Sequence, residues 1–164
     1  MTDNFIQLKK DNVLRLGIKT DKGEDTGEVL EFDLEDIELP LRYQELLIQD
    51  KKNKEWLKNQ FLIIEKKQDI KGKKLLSKNE EEKIKALNIF FNKEIEVYNM
   101  FLGENGVQKL LNGRKIGWNT LKEIDEIIEK QIAPKLDLTM KSITEKVKEK
   151  YKNISNNEEV LKDE

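Results

Sequence analysis

The side chains that do most acid–base and nucleophilic chemistry are missing from this chain. It has neither His nor Cys. Ser–His–Asp and Cys–His machinery cannot be built, and neither can a disulfide framework or a thiolate-held zinc or iron–sulfur site. Carboxylates remain, as acids, bases or ligands of a hard cation. Glu31, Asp33, Glu35 and Asp36 form a dense cluster. Their alternation with Leu30, Phe32 and Leu34 puts the first three on the outer face of a strand, where nothing buries a carboxyl group and moves its pKa. That pattern reads as a solvated face. No catalytic residue, metal ligand or cofactor is expected, and the chain reads as a non-enzyme. The glycines build no phosphate loop: GENGVQKLLNG, residues 103–113, has no Gly-Lys-Ser/Thr ending, and Gly72-Lys73-Lys74 is not a Walker motif.

What is left is charge and oily surface. Of 164 residues, 39% are charged and 37% hydrophobic, which predicts a small core and long solvated helices. The net charge of -2 conceals a polarity: residues 1–40 carry 11 acids and 5 bases, residues 51–85 carry 12 bases and 6 acids. Lys66, Lys67, Lys71, Lys73 and Lys74 could meet phosphates. At this density on helices, lysines read as a solvated face, so nucleic acid is not an expected partner. No membrane partner is expected either. The longest apolar run, Phe61 to Ile64, is far short of the roughly 20 residues that span a bilayer. MTDNFIQLKK lacks a signal-peptide pattern, so a cytoplasmic protein is expected.

The elements follow from periodicity. VLRLGIKT, residues 13–20, and EVLEFDLED, residues 28–36, alternate with a period of two and predict an antiparallel hairpin around a turn-rich loop. A lone hairpin is marginal in water, so its apolar face must cover something. Pro40 fits the first turn of a helix running from Leu41 to about Lys67. The polar stretch Asp50–Glu55 leaves open whether that helix continues or breaks. Residues 68–78 read as a loop. Ser77 and Glu80 form a capping box for the next helix. There Ile84, Leu87, Phe91, Ile95, Tyr98 and Leu102 step by three and four, with Phe90, Val97 and Phe101 widening the stripe, until Gly103 stops it. A short segment, 107–112, ends at Gly113. Thr120 and Glu123 suggest a second capping box for a helix carrying Leu121, Ile124, Ile128 and Ile132, interrupted at Pro134. Leu136, Met140, Ile143 and Val147 mark a last amphipathic helix.

The expected architecture is therefore α+β, mainly α: an N-terminal hairpin followed by a small bundle of four to five helices. Residues 1–134 form one domain, 135–152 a C-terminal helix and 153–164 a disordered tail. The stripe over 84–102 looks wider than so small a body can cover, and large exposed apolar patches mark interaction sites. Phe90, Phe91, Tyr98, Phe101 and Leu102 are its candidate partner contacts, weighed against service as core. Trp118, just ahead of the Thr120 cap, reads mainly as a staple against the next helix and secondarily as a contact.

Residues 88–132 resemble the C-terminal half of tail assembly chaperones from long-tailed phages and prophages of low-GC bacteria. The likeness rests on the double aromatic Phe90-Phe91, the turn Phe101-Leu102-Gly103-Glu104-Asn105-Gly106, the short helix end Leu110-Leu111-Asn112-Gly113, and Asn119-Thr120 opening the next helix. Phe32 to Asp36 and Tyr43 extend it back to about residue 28. Asn105 within the turn, the basic stretch at 66–78 and the helix after Pro134 depart from the pattern. The resemblance implies a non-enzymatic protein of the bacterial host's cytoplasm, absent from the mature virion. It would coat the tape-measure protein, recruit tail-tube subunits and self-associate. The competing reading is a small phage or mobile-element protein that inhibits a host factor, such as a nucleic-acid-guided defence enzyme.

Overall fold

The computed structural model describes residues 4–9 and 11–162, with side chains through 152. The chain divides into two compact units, Met1–Ile124 and Asp125–Glu164, so the division falls ahead of the boundary expected at 134.

The first unit opens with the expected hairpin. Strand β1, Val13–Lys19, pairs antiparallel with β2, Asp25–Asp33, with Leu14 opposite Phe32 and Leu16 opposite Leu30. Ile18, Leu30 and Phe32 are buried on one face. The second strand starts earlier than its alternation predicts, because a register irregularity between Gly17 and Lys19 admits Thr26, whose hydroxyl donates to the Ile18 carbonyl at 2.7 Å. It also ends earlier. Asp33 accepts from the Glu35 N–H and Asp36 from the Glu38 N–H, both at 3.0 Å, and these Asx turns replace the last pairs of the expected strand. The Arg42 guanidinium, with the Glu38 N–H, holds the Asp36 carboxyl below its usual range.

Helix α1 runs unbroken from Leu39 to Glu65, with Pro40 in its first turn as expected. The polar stretch at 50–55 neither breaks it nor passes entirely through solvent: Asn53 is buried in line with Leu39, Leu46, Leu57 and Ile64. The connection to α2 is fastened at its far end. Asn79 donates its side-chain amide to the Lys67 carbonyl at 3.0 Å, and its backbone N–H to Asp69 at 3.1 Å. Helix α2 spans Lys78–Leu102, and Ser77 Oγ accepts from the Glu80 N–H at 3.1 Å, as its capping box predicts. The two helices pack side by side as an antiparallel pair. The hairpin covers their end: the Phe101 ring lies 5.6 Å from Phe32 and 5.5 Å from Tyr43.

Gly103 ends α2 with φ 99°, and Asn105 turns the chain at φ 57° into the six-residue helix α3, Gly106–Leu111. Asn99 of α2 locks this corner. Its Oδ1 accepts from the Val107 N–H at 2.8 Å, and its Nδ2 donates to Gln108 at 3.0 Å. Helix α4, Trp118–Ile127, starts before its expected cap. Thr120 lies inside the first turn, where its hydroxyl accepts from the Gly117 N–H at 2.7 Å and donates to the Gly117 carbonyl at 3.0 Å.

In the second unit a π-helical turn, Ile128–Ile132, leads into α5, Ala133–Lys162. The Ala133 N–H donates to the Ile128 carbonyl, five residues back. A proline ring inside an α-helix crowds the carbonyl four residues before it, and the wider turn makes room for Pro134 without ending the helix. The helix continues through 153–162, where the sequence suggested a disordered tail; the last two residues of that tail lie outside the described residues. Of its expected apolar face, Met140 and Val147 are exposed. The α+β, mainly α architecture stands as expected.

One close approach is testable. A Cβ on Gly106 would lie 2.6 Å from the Leu102 Cβ, both on backbone-fixed positions that cannot swing aside. Gly106→Ala should cost about 1–3 kcal/mol of stability, as overpacking does, read as a lower urea midpoint at unchanged slope.

Candidate functional site

The centre of the α1–α2 pair is polar. Glu94 lies four residues after Phe90 and four before Tyr98, and all three are enclosed, Glu94 and Phe90 at 0% exposure. Asp50 and Asn53 of α1 face it. Asp50 Oδ1, Asn53 Nδ2 and both Glu94 carboxyl oxygens are buried and, among the described residues, lack a hydrogen-bond partner. Two carboxylates accept hydrogen bonds and cannot donate to one another. A single proton would resolve the arrangement: held on Glu94, it could be donated to Asp50. Burial, and then the neighbouring Asp50 carboxyl, push the Glu94 pKa up to about 8, against the smaller opposing pull of Asn53 and Lys54. On its solvent side Asp50 accepts from Lys54 Nζ at 2.9 Å.

This polar layer turns the helix. The stripe read from sequence ran through Ile84, Leu87, Phe91, Ile95, Tyr98 and Leu102, with Phe90, Val97 and Phe101 beside it. The buried face keeps Phe90, Tyr98, Phe101 and Leu102 and adds Ala86 and Glu94, while Leu87, Phe91 and Ile95 are half-buried and Ile84 is exposed. Four of the six expected partner contacts are therefore corrected to core: Phe90, Tyr98, Phe101 and Leu102 are all enclosed by their own chain. The body hides more of the oily ribbon than its composition suggested, because the hairpin and α3 cover the end of α2.

Two of the six remain at the surface, and the structure brings them together. Trp118 is 51% exposed and Phe91 half-buried. Their rings lie 5.4 Å apart, and each lies 5.3 Å from Phe90. The staple expected against the next helix does not form: Trp118 itself opens α4 and packs back on α2, edge-to-face with Phe91 and tilted against Phe90. Beside it, Leu57, Phe61, Leu87 and Trp118 line a shallow apolar cavity of about 310 Å³, with Lys54 and Lys58 on its α1 side. The Lys83 ammonium stands 5.4 Å from the Phe61 ring centroid. On the other side of the helix pair, the Lys93 ammonium caps Trp56 at 3.9 Å.

No family model, curated protein or solved structure matches this chain.

Sequence reasoning missed the α1 half of the cavity and all three members of the polar layer. Glu94 carried a signal, its four-residue step from Phe90 and to Tyr98. Among the described residues no three His, Cys, Asp or Glu side chains group to hold a metal ion, and the outer carboxylates Glu31 and Asp33 are exposed. No described helix is long and apolar enough to cross a membrane. Part of the basic stretch is engaged, since Lys67 pairs with Glu82 at 3.2 Å.

The proton on Glu94 sets a pH dependence. Its folded-state pKa lies above the value of 4.5 that it has in an open chain. The native state therefore keeps a proton that the unfolded state releases. The stabilisation is complete below about pH 4.5, declines by up to about 1.4 kcal/mol per pH unit, and is lost as pH passes about 8. Glu94→Gln keeps a donor toward Asp50 and cannot ionise. Melting temperatures from pH 5 to 9 should fall in the native protein relative to this variant; parallel curves would exclude the buried proton.

Proposed function

We propose that this protein is a non-enzymatic assembly chaperone of the phage-tail kind, working in the cytoplasm of a bacterial host. In this reading it shelters amphipathic helices of the tape-measure protein, brings tail-tube subunits to them, and leaves before the virion is complete. The observation that carries the reading is the Trp118 groove: a half-exposed tryptophan packed edge-to-face with Phe91 beside an apolar floor of Leu57, Phe61 and Leu87. A concave apolar surface between two long helices suits the side chains of a third. Large aromatic side chains held in place by their neighbours are also the usual anchors of binding energy. The resemblance over residues 88–132 supplies the client class. The surface is narrower than the full 84–102 stripe, and it is shared between α1, α2 and the start of α4.

The reading is tested by co-expression with a long, heptad-rich tape-measure protein. The client should stay soluble and co-purify with the chain. Trp118→Ala should keep the helical circular dichroism signal and lose the client, by about 2 kcal/mol or more if Trp118 is an anchor. A stoichiometric complex with a single host enzyme, and none with the tape-measure protein, would favour the inhibitor reading instead.

A further inference from the structure

The groove has a charge pattern as well as a shape. On α1, Lys51, Lys54 and Lys58 step by three and four residues, so they lie along one edge of the helix. All three are exposed. Phe61, which continues the same edge, is part of the groove floor. No acidic side chain lines the groove. Lys54 reaches inward to Asp50, while Lys51 and Lys58 extend the positive row on either side of it. An apolar floor bordered on one side by a row of ammonium groups selects for a ligand with both features.

We propose that the Trp118 groove receives an amphipathic helix whose apolar side chains are flanked by carboxylates, the carboxylates lying along the Lys51–Lys54–Lys58 edge. This rests on the chaperone reading for the existence of a helical client, and adds the client's charge. The cavity holds the anchoring side chains of such a helix, not the helix itself. The apolar contacts supply most of the affinity. The lysine edge sets orientation and rejects helices with basic flanks, since like charges across a contact are costly.

The test uses the full chain and two synthetic amphipathic peptides. Each has leucines at a and d positions; one has glutamates at e and g, the other lysines. Like charges along each peptide keep it from pairing with itself. Binding is followed by tryptophan fluorescence and calorimetry. The glutamate peptide should bind at least about tenfold more tightly than the lysine peptide, and added salt should shrink the difference. Lys58→Glu, a change at an exposed position that leaves the circular dichroism spectrum intact, should weaken the glutamate peptide and strengthen the lysine peptide. Trp118→Ala should weaken both. Equal affinity for the two peptides, a preference for the lysine peptide, or binding of neither overturns the inference. If the tape-measure protein is still captured on co-expression, only the charge preference has failed. If the peptide preference holds and the tape-measure protein is not captured, the chaperone reading has failed and the docking surface stands.

Discussion

A carboxylic acid buried between two long helices sets the geometry of the first unit. Glu94 is fully enclosed, and it faces Asp50 and Asn53 across the α1–α2 contact. Buried polar groups are costly when unpaired and tolerable only when each finds its partner. Sliding α1 along α2 by one turn would set Glu94 against Leu46 or Leu57 and strand Asp50 elsewhere. The polar layer therefore fixes register more than it adds stability, the role that a single polar core position plays in coiled coils. Lys54 anchors the outer oxygen of Asp50, so the layer is tied to the surface at the edge of the Trp118 groove.

Local signals in the sequence were legible where one residue type answers one backbone need. Pro40 in the first turn of α1, Ser77 as a cap and Gly103 as a stop all stand where their chemistry places them. The hairpin's alternation was legible too, apart from the irregularity near Ile18, since the two extra residues on β2 leave a period of two in phase. Glu94 was not legible, because hydrophobic periodicity assigns every charge to the outside. Treating it as solvated rotates the apparent core face toward Leu87 and Phe91, and leaves Phe90 and Phe101 at its margin. Thr120 misled for a related reason. A threonine followed three residues later by a glutamate fits a cap, yet here the hydroxyl bonds back to Gly117 within a helix already begun.

The candidate surface was half legible. Phe91 and Trp118 are conspicuous as aromatics, and their position at the surface fits a contact role. The other bank of the groove, Leu57 and Phe61 with the lysine edge, belongs to α1, and only the pairing of α1 with α2 brings it alongside. Pairing is a long-range property, fixed by the polar layer. A pattern read along one helix at a time contains no information about it.

Asn99 has a further consequence. A six-residue helix does not persist by itself in water, because nucleation costs more than so few hydrogen bonds return. The segment Gly106–Leu111 borrows its order through the two ends of one amide, with Oδ1 on the Val107 N–H and Nδ2 on Gln108. Fraying of the final turn of α2 would release both ends together. That turn and the short helix thus form one cooperative opening unit, whose amide protons exchange at a shared rate even though a chain reversal separates them.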